Sequence, residues 1–128
     1  MIPRFATACL TGGTPAIYGD GEQARDFTYI DDVVQANVLA MNAQESAFGL
    51  VLNAGGGREP TTVNRLLELV AEHAGASPAP RYEPAREGDI RRSEADVSLA
   101  RELLGYHPDV AIDESVGRTV EWFAARGG

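Results

Sequence analysis

Tyr18-Gly-Asp-Gly-Glu-Gln-Ala-Arg-Asp-Phe-Thr-Tyr-Ile-Asp-Asp-Val-Val-Gln-Ala36 joins a glycine turn, one arginine, a strand-like run and the start of a helix within nineteen residues. Glycines 19 and 21 permit a tight turn beside a ligand, and Arg25 supplies a planar, permanently charged fork suited to phosphate oxygens. Phe27-Thr28-Tyr29-Ile30 has strand chemistry. Asp31 or Asp32 is placed to accept from the first free amides of a helix expected over 33–42. The order reads as an anion site.

Outward from this stretch, helical spacing of Ile2, Phe5 and Cys9 predicts a short helix that ends at Gly12-Gly13, followed by an extended Ala16-Ile17-Tyr18. The 33–42 segment is apolar nearly all round, which predicts burial on several sides. Leu50-Val51-Leu52-Asn53-Ala54 has no alternation, as expected for a strand covered on both faces. A second helix is expected over 62–74 with Thr61 or Thr62 as cap, then a short strand near Arg81-Tyr82. Asp96 is expected to cap a helix over 97–104, and Asp113 a final amphipathic helix through Val116, Val120, Trp122 and Phe123. These elements predict one domain over 1–128, of class α/β or α+β, with a small mixed sheet and helices.

Composition narrows the function. A chain of 128 residues, 44% hydrophobic and 23% charged, can bury a core, roughly two thirds of its unfolded surface. A net charge of −8 disfavours nucleic acid. No apolar run approaches the ~20 residues of a membrane span and no secretory signal is visible, so a cytoplasmic location is expected. Cys9 is the single cysteine, which excludes an internal disulfide. His73 and His107 have no metal-ligand neighbour at useful spacing, so no metal site is expected. All eleven basic residues are arginines, so Tyr29 has no lysine to lower its pKa and reads as a packed strand tyrosine.

Gly55-Gly56-Gly57 invites a phosphate-loop reading, but a third spaced glycine, a Gly-Lys-Ser/Thr and a ribose-binding acid are all missing, so a plain loop is expected. Arg25 alone reads as a surface arginine paired with Asp20, Glu22 or Asp26. Arg86-Glu87-Gly88-Asp89 repeats the grammar of arginine, glycine and acid some sixty residues later. Two arginines can grip a diphosphate, and a carboxylate beside them suits ribose hydroxyls.

The Gly-Asp-Gly-x-x-x-Arg-Asp-Phe-x-Tyr-x-Asp-Asp run resembles the C-terminal half of the NAD-dependent epimerase/dehydratase family, the extended short-chain dehydrogenases/reductases that act on nucleotide sugars. Asn53, Gly55 and Gly57 match a further loop of that family, and Arg91, Arg92 and Ser93 continue the match without an assigned role; a salt-bridged structural arginine is an equal reading. The resemblance implies that Arg25 and Arg86 clamp the diphosphate, that Asp89 takes the ribose, and that backbone groups of Ala16 and Tyr18 read the pyrimidine. It implies a nucleotide-sugar-binding portion, most like that of UDP-glucose 4-epimerases, with dehydratase or decarboxylase portions as rivals. NAD belongs to the intact enzyme, whose Rossmann N-terminal half, Gly-x-x-Gly-x-x-Gly loop and Tyr-x-x-x-Lys pair are not found in these residues. No catalytic or cofactor-binding residue is therefore expected here, and residues 31–54 are expected to pack on the missing dinucleotide-binding domain. A stand-alone, non-catalytic binding or interaction protein is the reading from another class, and self-association through 33–54 is expected of the isolated chain.

Overall fold

A computed structural model describes residues 1–127. Five helices and five short strands follow in the order α1 (Ile2–Thr11), β1 (Ala16–Tyr18), β2 (Ala24–Arg25), α2 (Ile30–Met41), β3 (Thr61–Thr62), α3 (Val63–Ala74), β4 (Arg81–Glu83), β5 (Arg92–Ser93), α4 (Ser98–Leu104) and α5 (Ile112–Ala124). A 3-10 turn, Glu45–Ala47, follows α2. The strands make two small sheets rather than one. In the first, β1 and β4 run parallel; in the second, β2 lies between antiparallel β3 and parallel β5. The fold is thus a small mixed α/β arrangement.

The main core is a three-helix packing. Phe5, Ala6 and Cys9 of α1, Val63, Leu66, Leu67 and Val70 of α3, and Val116 and Val120 of α5 recur at helical spacing and close over Ile17 of β1. Burial raises the Cys9 thiol pKa, which fits a small apolar packing residue. The Thr62 hydroxyl accepts from the Arg65 amide at 3.1 Å and caps α3. At the other end of α3, His73 meets Asp113 at 3.1 Å and so ties α3 to the start of α5. A second, smaller core gathers Ala36 of α2, Val97 and Ala100 around Tyr106, which is fully buried.

Several elements differ from expectation. Phe27–Tyr29 is not a strand and Ile30 is already helical; the strand lies at Ala24–Arg25, where backbone partners exist on both sides. Strand propensity at 27–30 found no ladder to join. Asp31 and Asp32 therefore sit in the first turn of α2, after Tyr29, and neither caps it. Asp32 is buried and accepts instead from the Asp109 amide at 2.9 Å.

Helix α2 buries only Asp32 and Ala36, not several sides. Residues 50–54 form no strand, and Val51 is 92% exposed. Both segments carry apolar residues that nothing among the described residues covers. Asp113 lies inside the first turn of α5 rather than at its cap, which is Ala111. The cap of α4 is Val97 rather than Asp96, which stands one residue earlier and accepts from the Ser98 amide at 2.9 Å.

Candidate functional site

A cavity of about 590 Å³ opens between α1, the Thr14–Tyr18 segment, β2 and the loop that follows β4. Its wall includes Ala16, Tyr18, Arg25, Arg86 and Asp89 together. Chain topology explains the meeting. The parallel pairing of β1 with β4 brings the 84–91 loop beside β1, and the pairing of β2 with β5 holds the far end of that loop beside Arg25.

Register decides what β1 presents. Arg81 donates to the Pro15 carbonyl and Gly19 to the Glu83 carbonyl, both at 2.9 Å, so residues 15, 17 and 19 bond towards β4. Parallel ladders alternate, and Ala16 and Tyr18 therefore turn their amides and carbonyls to the opposite edge. The cavity lies along that edge, since no residue of β4 lines it. Gln23, buried to 8% exposure, donates from Nε2 to the Tyr18 carbonyl at 2.7 Å and closes the end of the strip. What remains is a run of amide donor, carbonyl acceptor and amide donor, which can match a flat heterocycle edge in hydrogen bonding.

Arg25 is held from three directions. Its Nη1 donates to the Ile90 carbonyl at 2.6 Å and to the Ala24 carbonyl at 2.9 Å, while Nη2 meets the Asp89 carboxylate at 2.5 Å. None of Asp20, Glu22 or Asp26 pairs with it. Asp20 instead takes Arg91, at 2.7 and 2.9 Å. A bond from the Glu22 amide and then the Arg91 guanidinium hold the Asp20 carboxyl below the usual carboxylate range. Arg92 is bound by Glu59 and Glu94, which raise its pKa, and Glu59 is lowered in return. Arg91 and Arg92 are therefore salt-bridged, and neither lines the cavity. Arg86 differs: its guanidinium carbon lies 3.8 Å from the centre of the Tyr18 ring, and no carboxylate among the described residues pairs with it.

The glycine triplet is a packing loop. A Cβ at Gly56 would strike Asp26 Oδ1 and the Phe27 carbonyl, and one at Gly55 would strike Ala95 and Asp26 Oδ2. The Gly55 carbonyl accepts from the buried Tyr106 hydroxyl at 2.8 Å, and the Gly57 carbonyl from Arg101 at 3.1 Å. A carboxylate filling the hollow repels phosphate, so these residues do not fit a dinucleotide. Among the described residues no group of three His, Cys, Asp or Glu is arranged to hold a metal, and no helix is long and apolar enough to cross a membrane.

Gln23, Arg4 and Thr14 also line the cavity and escape the sequence reading. Gln23 lies between Gly21 and Arg25, yet its hydrogen bond returns to a residue five positions back, which spacing alone does not reveal.

The model of the NAD dependent epimerase/dehydratase family matches residues 1–55. A UDP-glucose 4-epimerase of Mycolicibacterium smegmatis is 42% identical over 96% of this chain and 38% of its own length. The crystal structure of a UDP-glucose 4-epimerase from Thermotoga maritima with UDP-glucose superposes with a TM-score of 0.90 at 42% identity, over 98% of this chain and 39% of that one. The UDP-glucuronic acid 4-epimerase of Bacillus cereus, solved with UDP-glucuronic acid and NAD, gives a TM-score of 0.91 at 28% identity, over 98% of this chain and 40% of that one. The chain thus spans about two fifths of the length of each of these three proteins.

Proposed function

We propose, from the premise that the chain belongs to the NAD-dependent epimerase/dehydratase family and corresponds to a C-terminal portion of it, that the cavity binds the nucleoside diphosphate of a nucleotide sugar, a UDP-sugar above others. One observation carries the reading. Two arginines from loops about sixty residues apart, one acid and one free strand edge, all picked out from sequence, line a single cavity. Arg25 and Arg86 take the two phosphates by charge-assisted bonds; Asp89 accepts from ribose hydroxyls; the Ala16 and Tyr18 edge pairs with the base. The role is that of the substrate anchor of a UDP-glucose 4-epimerase-like enzyme. Binding energy gathered at the nucleotide, remote from the sugar carbon that reacts, orients the reacting end.

NAD supplies hydride chemistry when bound in an enzyme of this kind. The Gly55–Gly57 loop offers no cradle for its phosphates, because Asp26 packs against it. The 128 residues by themselves are therefore expected to bind nucleotide without turning over a sugar. A dehydratase or decarboxylase would use the same anchor.

The exposed apolar stripe of Ile30, Val34, Val38 and Met41, with Phe48, Leu50 and Val51 beside it, supports a further part of the proposal. Residues 31–54 dock on a dinucleotide-binding domain, and in its absence the chain associates with itself through this face.

Calorimetry with UDP, dTDP and GDP and an NADH-linked assay test the reading. We expect UDP binding that weakens at least about tenfold in Arg25→Ala and in Arg86→Ala, as loss of a charge-assisted bond requires, and no turnover. Indifference of UDP affinity to both substitutions overturns the clamp. Turnover by these residues alone overturns the anchor role.

A further inference from the structure

We propose that the aromatic ring of Tyr18 is a positioning element for Arg86, so that this residue serves the site with its side chain as well as its backbone; the proposal rests on the diphosphate-clamp reading above. The Arg86 guanidinium lies over the ring at 3.8 Å from its centre. Arg86 stands in an exposed, irregular loop, and among the described residues no carboxylate pairs with its side chain.

The choice of holder matters chemically. Arg91, Arg92 and Arg118 have edge N–H groups engaged by carboxylates. A π face binds the flat side of a guanidinium and leaves its edge donors free. Arg86 is thus held in place while its donors stay available for an anion. A carboxylate in the same position would compete with phosphate for those donors.

Tyr18 is itself fixed. Its carbonyl takes the buried Gln23 amide, and its register against Glu83 sets the strand. The base-reading edge and one arm of the clamp consequently share one residue, so their spacing is set by a single backbone position.

UDP titrations at low salt with the native chain, Tyr18→Phe, Tyr18→Leu, Arg86→Ala and the double variant Tyr18→Leu/Arg86→Ala decide the matter. Tyr18→Leu is expected to weaken UDP roughly five- to tenfold, the range of a partly desolvated cation–π pair. Tyr18→Phe, which keeps the ring, should restore the affinity to within about twofold of native on the same ground. In the Arg86→Ala background the Tyr18→Leu loss should vanish; an undiminished loss there assigns Tyr18 a merely structural role and overturns the proposal. UDP binding that Arg86→Ala weakens and Tyr18→Leu does not sinks the proposal alone. A native chain that ignores UDP sinks the clamp and the proposal together. Should Tyr18→Leu fail to fold, proton NMR of the native chain serves instead: ring-current shifts of the Arg86 side-chain protons support the stack, and unshifted protons overturn it.

Discussion

Replacing Asp89 by Asn separates the two chemical tasks combined at Arg25. The carboxylate occupies Arg25 Nη2, and two backbone carbonyls hold Nη1, so the guanidinium keeps its place when the charge is removed. Asp89→Asn is therefore expected to tighten binding of inorganic pyrophosphate about three- to tenfold, because a competing anion leaves. The same change should weaken UDP relative to pyrophosphate, since an acceptor for ribose hydroxyls is lost. Calorimetry with both ligands checks the difference; equal shifts would remove Asp89 from the ribose contact. Tyr106 gives a prediction in pH. Desolvation first, then the charges of Asp32 and Asp26, raise its pKa above the ordinary tyrosine value. A group whose folded pKa is raised contributes stability that is present below the unfolded value, near 10, and is lost as pH rises through the folded one. Native protein should lose melting temperature more steeply above about pH 10 than Tyr106→Phe does. At pH 7 that variant should be less stable by about 1–2 kcal/mol, because the Gly55 carbonyl loses its donor. Parallel melting curves across pH 7–11 for the two proteins test both statements.

At the scale of elements, the turn between β1 and β2 is built against α3 rather than against a ligand. Gly21 has φ 77°, and a Cβ there would lie 2.0 Å from Asn64 Oδ1. Asn64 cannot yield freely, since it donates to the Asp20 carbonyl and to Glu22 and accepts from Tyr82. Gly21→Ala should cost about 2–3 kcal/mol, from positive φ plus crowding, measured by denaturant unfolding. The cap substitution Thr62→Ala should cost about 1 kcal/mol in the same assay. Helix existence was legible throughout, because the faces of α1, α3 and α5 repeat at helical spacing. Phe27–Ile30 forms no strand for a physical reason: a strand exists only where a neighbouring backbone completes its ladder, and β3 and β5 reach Ala24–Arg25 instead. Propensity carries no record of that neighbour.

Over the whole molecule, the main core of α1, α3 and α5 carries the fold, while α2 and the 48–54 segment leave their apolar residues in solvent. Met41 is 84% and Val51 92% exposed, values that suit a covered surface and not a free one. Sedimentation of the isolated chain should show concentration-dependent association, reversed by the pair Val34→Asp and Val51→Asp; a native monomer at high concentration would contradict it. The candidate site was legible as a list of residues: Arg25, Arg86 and Asp89 declare themselves by charge and by glycine-bearing loops. Their convergence is implied there only by the family resemblance, because residues sixty apart meet only through two parallel strand pairings. By itself the sequence determined the helices, the apolar faces that seal the core and the kinds of side chain available to hold an anion, since propensity, periodicity and charge are local properties. Only tertiary structure decided that Asp89 rather than Asp20, Glu22 or Asp26 pairs with Arg25, that the glycine triplet is a packing loop around Asp26, and that the Tyr18 ring carries Arg86. Each of these depends on which distant backbone arrives alongside, and a chain records that partner nowhere along its own length.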